Sequence, residues 1–449
     1  MLGQLFFFMK RIALHTLGCK LNYAETAAIG KQFTSRGYIV VGLDDPADVV
    51  VINSCSVTSQ ADRECRQLVR RAIRHSPDAF VAVVGCYAQL QSEQIAGING
   101  VDLVLGTQDK FSLLDFIDTE KKKNHANVVV SCIDDNNFGL ASSAGFEDRT
   151  RAFLKVQDGC DYRCTYCTIP QARGRSRSTT IVEIVRQARE AVGLGYKEIV
   201  LTGVNVGDYG KNDGTNLLAL LKQLVTVDGL MRIRISSVEP NLLTDELLDF
   251  WFANDILCHH WHIPLQSGSN TILRKMRRRY LTGVYAERVE RIKSNVPTAG
   301  IGSDVIVGFP GESDALFNET CNFLNDIPIS YFHIFSYSER PNTPAAAFDK
   351  KIDPQIKAKR SKKLRQLGIQ KRHMFYETFV GKTVPVLFES AHLDGTLSGL
   401  TEEYVRVDVK SNADLTNTIV NVTIKEAFSE KCIGMIAEPN RIPAIRIAI

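Results

Sequence analysis

At 449 residues the chain is longer than one ordinary domain, and its length alone points to about three. A composition of 44% hydrophobic and 23% charged residues is that of a globular protein, and no apolar run approaches the roughly 18 residues of a membrane-spanning helix, which excludes the bilayer. The formal net charge of +4 permits an anionic partner without requiring one. Eleven cysteines, an odd and tightly clustered set with no secretory signal ahead of it, argue against a disulfide framework. Reduced thiols then serve as metal ligands, catalytic groups or core residues.

Residues 1–8 (MLGQLFFF) read as a lead-in before the first strand. From residue 9 to about 120, short apolar runs alternate with amphipathic stretches. Strands are expected at 11–17, 47–53, 80–85 and 101–105, with helices at 23–36, 59–75 and 91–96. Such alternation predicts a doubly wound parallel α/β domain. Cys19 (TLGCKLN), Cys55 (VVVINSC) and Cys86 (VAVVGC) each fall just past a predicted strand. Open parallel sheets bind ligands at the carboxyl ends of their strands, so the three thiols are expected in one crevice. A single buried cysteine needs no such reading, because a free thiol packs as a small hydrophobe.

Residues 121–147 are polar and turn-rich, predicting a linker with one strand at 128–132. Alternation resumes across 148–377, with strands at 152–157, 198–202, 232–236, 261–264, 302–307 and 332–336. Helices are expected at 181–194, 217–225, 245–253, 284–295 and 314–324. This pattern predicts a β/α barrel or partial barrel whose site lies at the strands' C-terminal face. A long helix over 353–379 follows; between Lys350 and Arg372, ten Lys or Arg stand against Asp353 alone. Over 378–449, short β-rich runs with glycine turns predict a small all-β barrel.

The segment QDGCDYRCTYCTIP puts Cys160, Cys164 and Cys167 at C-x3-C-x2-C spacing in a loop after a barrel strand. Zinc sites want four closed ligands, and no partner pair lies nearby. A cubane iron–sulfur cluster uses thiolates, and three of them leave one iron open to a small molecule. With Tyr166 before the last cysteine, the loop resembles the radical S-adenosylmethionine (SAM) signature. The resemblance implies a 4Fe–4S cluster on Cys160, Cys164 and Cys167, chelated by SAM, whose reductive cleavage yields a 5'-deoxyadenosyl radical.

TLGCKLN, INSC, VGC, IPQARGRSRS, LTGVNV, ISSVEP, HIPLQSGS and SDVIVGFPGE then occur in order. Together they make nearly the whole chain resemble the methylthiotransferases. That resemblance implies an auxiliary 4Fe–4S cluster on Cys19, Cys55 and Cys86, SAM as both methyl donor and radical source, and an unidentified reductant and sulfur donor. It also implies SAM contacts at Tyr166, which would lie on the adenine, and at Gly203, where backbone approaches the methionyl end. Ser237, Gln266 and Asp304, at predicted strand ends, complete the set; such residues also serve as turn and cap groups. The segment GLTEEYVRV makes the last domain resemble the RNA-binding TRAM module. A radical cofactor suits the reaction, since an unactivated aromatic C–H bond lies beyond acid–base catalysis.

GCKLNYAET resembles the MtaB-type branch of the family, which implies methylthiolation at carbon 2 of threonylcarbamoyladenosine next to a tRNA anticodon, in the cytoplasm. The branch acting on isopentenyl-adenosine tends to read GCQMN and that acting on a ribosomal-protein aspartate GCPKN; both are alternatives. So is a non-enzymatic RNA-binding protein with structural clusters. Four basic runs favour RNA. Arg63, Arg66, Arg70 and Arg74 form one helical stripe, with Arg71 beside it. Arg173, Arg175 and Arg177 flank the cluster loop; Arg274, Lys275, Arg277, Arg278 and Arg279 form a third run, and the 350–372 helix a fourth. Against this, seven Lys or Arg face nine Asp or Glu from Thr378 onward, so the last domain is mildly acidic. Cys65, Cys132, Cys258, Cys321 and Cys432 lack ligand spacing and are read as structural, and His259, His260 and His262 are not expected to hold a metal. Nothing in the residue pattern sets an oligomeric state.

Overall fold

The computed structural model describes residues 9–117, 125–134, 137–146 and 150–437. The predicted lead-in at 1–8, parts of the predicted linker and residues 438–449 lie outside the described residues.

The first unit runs β1 (Arg11–Thr16), α1 (Lys20–Thr34), β2 (Ile39–Val41), β3 (Val49–Ser54), α2 (Ser59–His75), β4 (Phe80–Gly85), α3 (Cys86–Leu90), α4 (Ser92–Ala96), β5 (Leu103–Leu105) and β6 (Asn127–Val129). Its six strands are all parallel, in the order β2-β1-β3-β4-β5-β6. The central strands β3 and β4 are buried along their whole length, which is why VVVINS and FVAVVG read as continuous apolar runs. From β1 the chain goes to one side for β2 and crosses back to the other for β3, creating a switch point between β1 and β3. The strand expected in the linker starts one residue early and ends three early, as β6, and pairs with β5. It belongs to this sheet, because the short β5 would otherwise leave a row of backbone amides and carbonyls unpaired at the edge.

The central unit contains β7 (Arg151–Lys155), β8 (Gln157–Asp158), α5 (Ile169–Arg173), β9 (Arg177–Ser178), α6 (Ile181–Gly193), β10 (Glu198–Thr202), α7 (Leu217–Leu224), β11 (Arg232–Ile235) and α8 (Asp245–Phe252). It continues with β12 (His260–His262), α9 (Asn270–Lys275), α10 (Thr282–Asn295), β13 (Gly300–Val307), α11 (Asp314–Asp326), β14 (Tyr331–Ser336) and α12 (Pro354–Glu377). Two three-stranded parallel sheets, β7-β10-β11 and β12-β13-β14, are joined by bridges Ile233–Leu257 and Ser237–His262 into one six-stranded arc. Strand alternation sorts its faces. Ala152, Leu154, Ile199, Leu201, Ile233, Ile235, Val305 and Val307 pack under the helices. Their alternates line a polar concave face that includes Arg151, Lys155, Glu198, Arg234, His260, His262, Asp304 and His333.

Beyond α12 lie β15 (Thr383–Ala391), β16 (Thr396–Thr401), β17 (Arg406–Lys410), β18 (Ile419–Ala427) and β19 (Cys432–Ile436), closed as a barrel in the order β15-β16-β17-β19-β18. The barrel is tied to the central arc by arginines: Arg232 donates to the carbonyls of Leu400 and Pro385, Arg234 to those of Thr401 and Glu402, and Arg151 pairs with Glu389 at 2.6 Å. His259 pairs with Glu402 at 3.2 Å. Part of the barrel's acidity is therefore consumed in docking onto the arc. No helix among the described residues is long and apolar enough to cross a membrane.

Candidate active site

Cys19 caps α1 after β1, Cys55 follows β3, and Cys86 opens α3 after β4. These three strands are neighbours about 4.8 Å apart, and the pairing of Ser54 with Gly85 brings Cys55 and Cys86 level. The expected crevice forms at the β1/β3 switch point. Gly18 sits there at φ +99°, and a Cβ on it would lie 2.7 Å from the Cβ of Cys55, so only glycine fits. Burial pushes the Cys55 thiol up to about 12, with Cys86 and Cys19 adding to it. Cys19 is solvent-accessible yet closely surrounded, as in a cleft; burial raises its pKa too, against the pull of Arg173. Thiols held protonated this way give up their protons when a metal centre takes the thiolates.

Arg173, six residues after Cys167 in sequence, reaches this crevice from the central unit. Its Nε is 3.3 Å from Cys86 Sγ, its Nη2 2.6 Å from Asn22 Oδ1, and both Nη atoms bond Glu25. Glu25 also pairs with Lys110 and Lys155, while Asp158 takes Lys155, Arg173 and Arg177 at 2.7 to 3.2 Å. Burial alone would raise the Glu25 and Asp158 carboxyls, but the surrounding cations outweigh it and hold both well below the usual range. Four buried cations (Lys110, Lys155, Arg173, Arg177) thus face two carboxylates. A surplus of positive charge beside three thiols fits an anionic, thiolate-held iron–sulfur cluster.

The second triad lies in the loop between β8 and α5. Gly159, at φ +69°, lets the loop turn; a Cβ there would lie 1.9 Å from the carbonyl of Arg175. Burial pushes Cys160 and Cys167 up to about 12. Arg278 donates to Cys164 Sγ at 3.1 Å and to the Tyr166 hydroxyl at 3.4 Å, and pairs with Glu239. A cleft of about 380 Å³ opens beside Cys160, lined by Asp161, Tyr162, Arg163, Pro170 and Arg175. Again a buried guanidinium stands on a thiol, Cys164, which suits a thiolate-borne cluster.

Of the remaining predicted SAM contacts, Tyr166 is half-buried against Phe309 with ring centroids 6.4 Å apart. Gly203 has no room for a side chain, but what it meets is Gln157, whose carbonyl would lie 2.8 Å from a Cβ. Ser237 Oγ lies 3.3 Å from His262 Nδ1, and the other ring nitrogen lies 3.5 Å from Asp304 Oδ1. With His333, these form a cluster on the concave face that the residue pattern alone did not group. Gln266, at φ +66°, bridges β13 through backbone bonds to Asp304 and Ile306.

The basic runs divide. Arg63, Arg70 and Arg74 are exposed on α2, whereas Arg66 is half-buried and donates to the Tyr87 hydroxyl at 2.6 Å. Arg175 and Arg277 are exposed. Arg173 and Arg177 correct the sequence reading: they are 1% and 7% exposed, and their guanidiniums are spent on Glu25, Asp158 and backbone carbonyls. Arg278 is likewise turned inward onto Cys164 and Glu239. None of the three presents a phosphate-binding surface. On α12, Arg360 is buried against Glu312 and Asp314, leaving Lys359, Lys362 and Arg365 on the exposed side. Cys65, Cys258, Cys321 and Cys432 are buried, and Cys132 is exposed.

A six-stranded β/α arc with three cysteines in the loop off its first strand defines a radical SAM core. The profile described as the Radical SAM superfamily matches residues 154–324, and that of the Uncharacterized protein family UPF0004 matches residues 11–106. The chain is 42% identical to the threonylcarbamoyladenosine tRNA methylthiotransferase MtaB of Bacillus subtilis, over 93% of this chain and 94% of that one. It is 35% identical to the MtaB of Thermotoga maritima, over 97% and 100%. Identity is 32% to the tRNA-2-methylthio-N(6)-dimethylallyladenosine synthase of Syntrophotalea carbinolica, over 95% and 99%. Among solved structures, the radical SAM methyltransferase TsrM of Kitasatospora setae shares the fold at a TM-score of 0.52 and 14% identity, over 75% of this chain and 77% of that one. The chain belongs to the radical SAM tRNA methylthiotransferases, transferases that carry two 4Fe–4S clusters and use SAM.

Proposed function

We propose that the chain replaces the hydrogen at carbon 2 of threonylcarbamoyladenosine, next to the tRNA anticodon, with a methylthio group. The observation that carries this reading is the pairing of two cysteine triads across one domain seam, joined through Arg173, in a chain with higher identity to the cited threonylcarbamoyladenosine enzymes than to the dimethylallyladenosine synthase. In it, Cys160, Cys164 and Cys167 hold the SAM-binding cluster and Cys19, Cys55 and Cys86 the auxiliary one. When bound, these clusters and SAM supply radical chemistry and sulfur. The protein's own part is positioning. Arg278 and Glu239 fix the inner edge of the first site, Arg173 fixes the second, and the polar concave face of the arc lies between the central sheet and α1. Exposed Arg63, Arg70 and Arg74 serve tRNA phosphates, and a tRNA substrate puts the reaction in the cytoplasm.

Anaerobic turnover of the reconstituted protein with SAM, a reductant and bulk tRNA, followed by nucleoside mass spectrometry, tests the reading. A methylthio gain on threonylcarbamoyladenosine is expected. A gain on isopentenyl-adenosine instead would overturn the substrate, and 5'-deoxyadenosine without any change in tRNA would point to a protein substrate.

A further inference from the structure

Lys20 follows Cys19 directly and opens α1, the end of a helix that least favours a cation. Its ammonium lies 5.3 Å from the centre of the Tyr404 ring, a cation–π distance, and makes no hydrogen bond or ion pair with any described residue. Arg151 and Arg234 border the same ring at 5.9 and 5.1 Å, but each is already neutralised, Arg151 by Glu389 and Arg234 by Glu198. Lys20 is left as the cation without an anion in this wall. The wall belongs to the concave face of the arc. Tyr404 stacks on His260 at 4.6 Å, and neighbouring rings continue from Tyr331 to His333 at 5.5 Å and on to His262 at 6.0 Å.

We propose that Lys20 determines substrate specificity by pairing with the threonyl carboxylate of the modified adenosine. The proposal rests on the threonylcarbamoyladenosine reading above. Its chemistry follows from the purine. Carbon 2, which accepts sulfur, and N6, which carries the threonylcarbamoyl group, flank N1 on one edge of the ring. A base presented to the Cys19 crevice by that edge brings its N6 substituent within reach of the next side chain. The substituent ends in a carboxylate, and Lys20 is the unneutralised cation there. An isopentenyl group in the same place would give Lys20 nothing to bind.

The test compares anticodon stem-loop RNAs carrying threonylcarbamoyladenosine with a free carboxylate or with its methyl ester. Binding to the reconstituted protein is read by fluorescence anisotropy and turnover by mass spectrometry, with iron content and EPR confirming intact clusters. Wild type should bind the carboxylate RNA roughly thirtyfold tighter than the ester, the weight of one charge-assisted hydrogen bond. Lys20→Gln should bind both RNAs at the ester's level, and Lys20→Arg should keep the preference. Equal binding of the two RNAs by wild type overturns the proposal without any variant. If wild type methylthiolates the carboxylate RNA while Lys20→Gln keeps its preference, Lys20 is not the determinant but the substrate reading survives. If wild type modifies only isopentenyl RNA, the substrate reading fails and takes this proposal with it.

Discussion

The Nε of Arg173 stands 3.3 Å from the Sγ of Cys86, although the two residues come from different units of the fold. Arg173 ends the short helix that follows the Cys160–Cys167 loop, so one chain segment touches both thiol sites. Its guanidinium also fills the gap between Asn22, Glu25 and Asp158 with bonds of 2.6 to 3.0 Å. Removing it leaves Glu25 to Lys110 and Lys155 and Asp158 to Lys155 and Arg177, and takes away the guanidinium that Asn22 Oδ1 accepts from. Arg173→Met should therefore destabilise the docked pair of units by about 1–3 kcal/mol, read by urea denaturation, and lower iron retention at the upstream triad. Arg173→Lys should recover only part of this, because an ammonium restores charge but not the planar fork.

The two triads should separate cleanly by their products. Alanine at Cys160, Cys164 and Cys167 should abolish 5'-deoxyadenosine formation. Alanine at Cys19, Cys55 and Cys86 should halve the iron bound per chain, spare 5'-deoxyadenosine and stop sulfur transfer. Methylthiolation by the second variant, measured by nucleoside mass spectrometry, would remove those cysteines from the reaction.

Why some residues could be read in advance and others not follows from the range of their interactions. Cys19, Cys55 and Cys86 were legible because a strand's end is a local property, and adjacent parallel strands turn it into proximity. Arg173 and Arg177 read from sequence as phosphate contacts and turn out to bond Glu25 and Asp158, because an arginine-rich loop looks the same whether its partners are solvent, RNA or carboxylates. The Glu25 partner lies 148 residues away and carries no motif. The barrel's acidity weighs against RNA binding when counted from sequence, but in the fold Glu389 and Glu402 pair with Arg151 and His259. Ser237 and Asp304 were found as strand ends, but His333 joins them only through the register of β13 with β14.

The buried seam gives the protein a defined acid sensitivity. The Glu25 carboxyl is held below its unfolded value by Arg173, Lys110 and Lys155, and that of Asp158 by Lys155, Arg173 and Arg177. A depressed folded pKa stabilises fully above the unfolded value, near 4, and its contribution is lost as pH falls toward the folded value. Stability should thus be flat in this respect from pH 7 to about 5 and fall steeply below 4. Glu25→Gln should cost stability at pH 7 yet flatten the acid limb, measured by denaturant midpoints across pH. An unchanged acid limb would remove Glu25 from that role.

Arg63, Arg70 and Arg74 stand on the exposed side of α2 and pair with no carboxylate among the described residues, in contrast to neighbouring Arg71, which pairs with Asp44. Spacings of seven and four residues keep the three on one stripe, about 16 Å long at 1.5 Å per residue. Such a stripe matches a run of backbone phosphates better than a single anion. Each phosphate contact releases condensed counterion, so the logarithm of tRNA affinity should fall linearly with the logarithm of salt concentration. Changing all three to alanine should reduce that slope by about 2–3 and weaken binding most at low salt. Release of 5'-deoxyadenosine without RNA should stay the same, because none of the three shares a hydrogen bond or ion pair with the Cys160–Cys167 loop among the described residues. A slope unchanged from wild type would assign these arginines to solvent and move the RNA footprint to Lys359, Lys362 and Arg365 on α12.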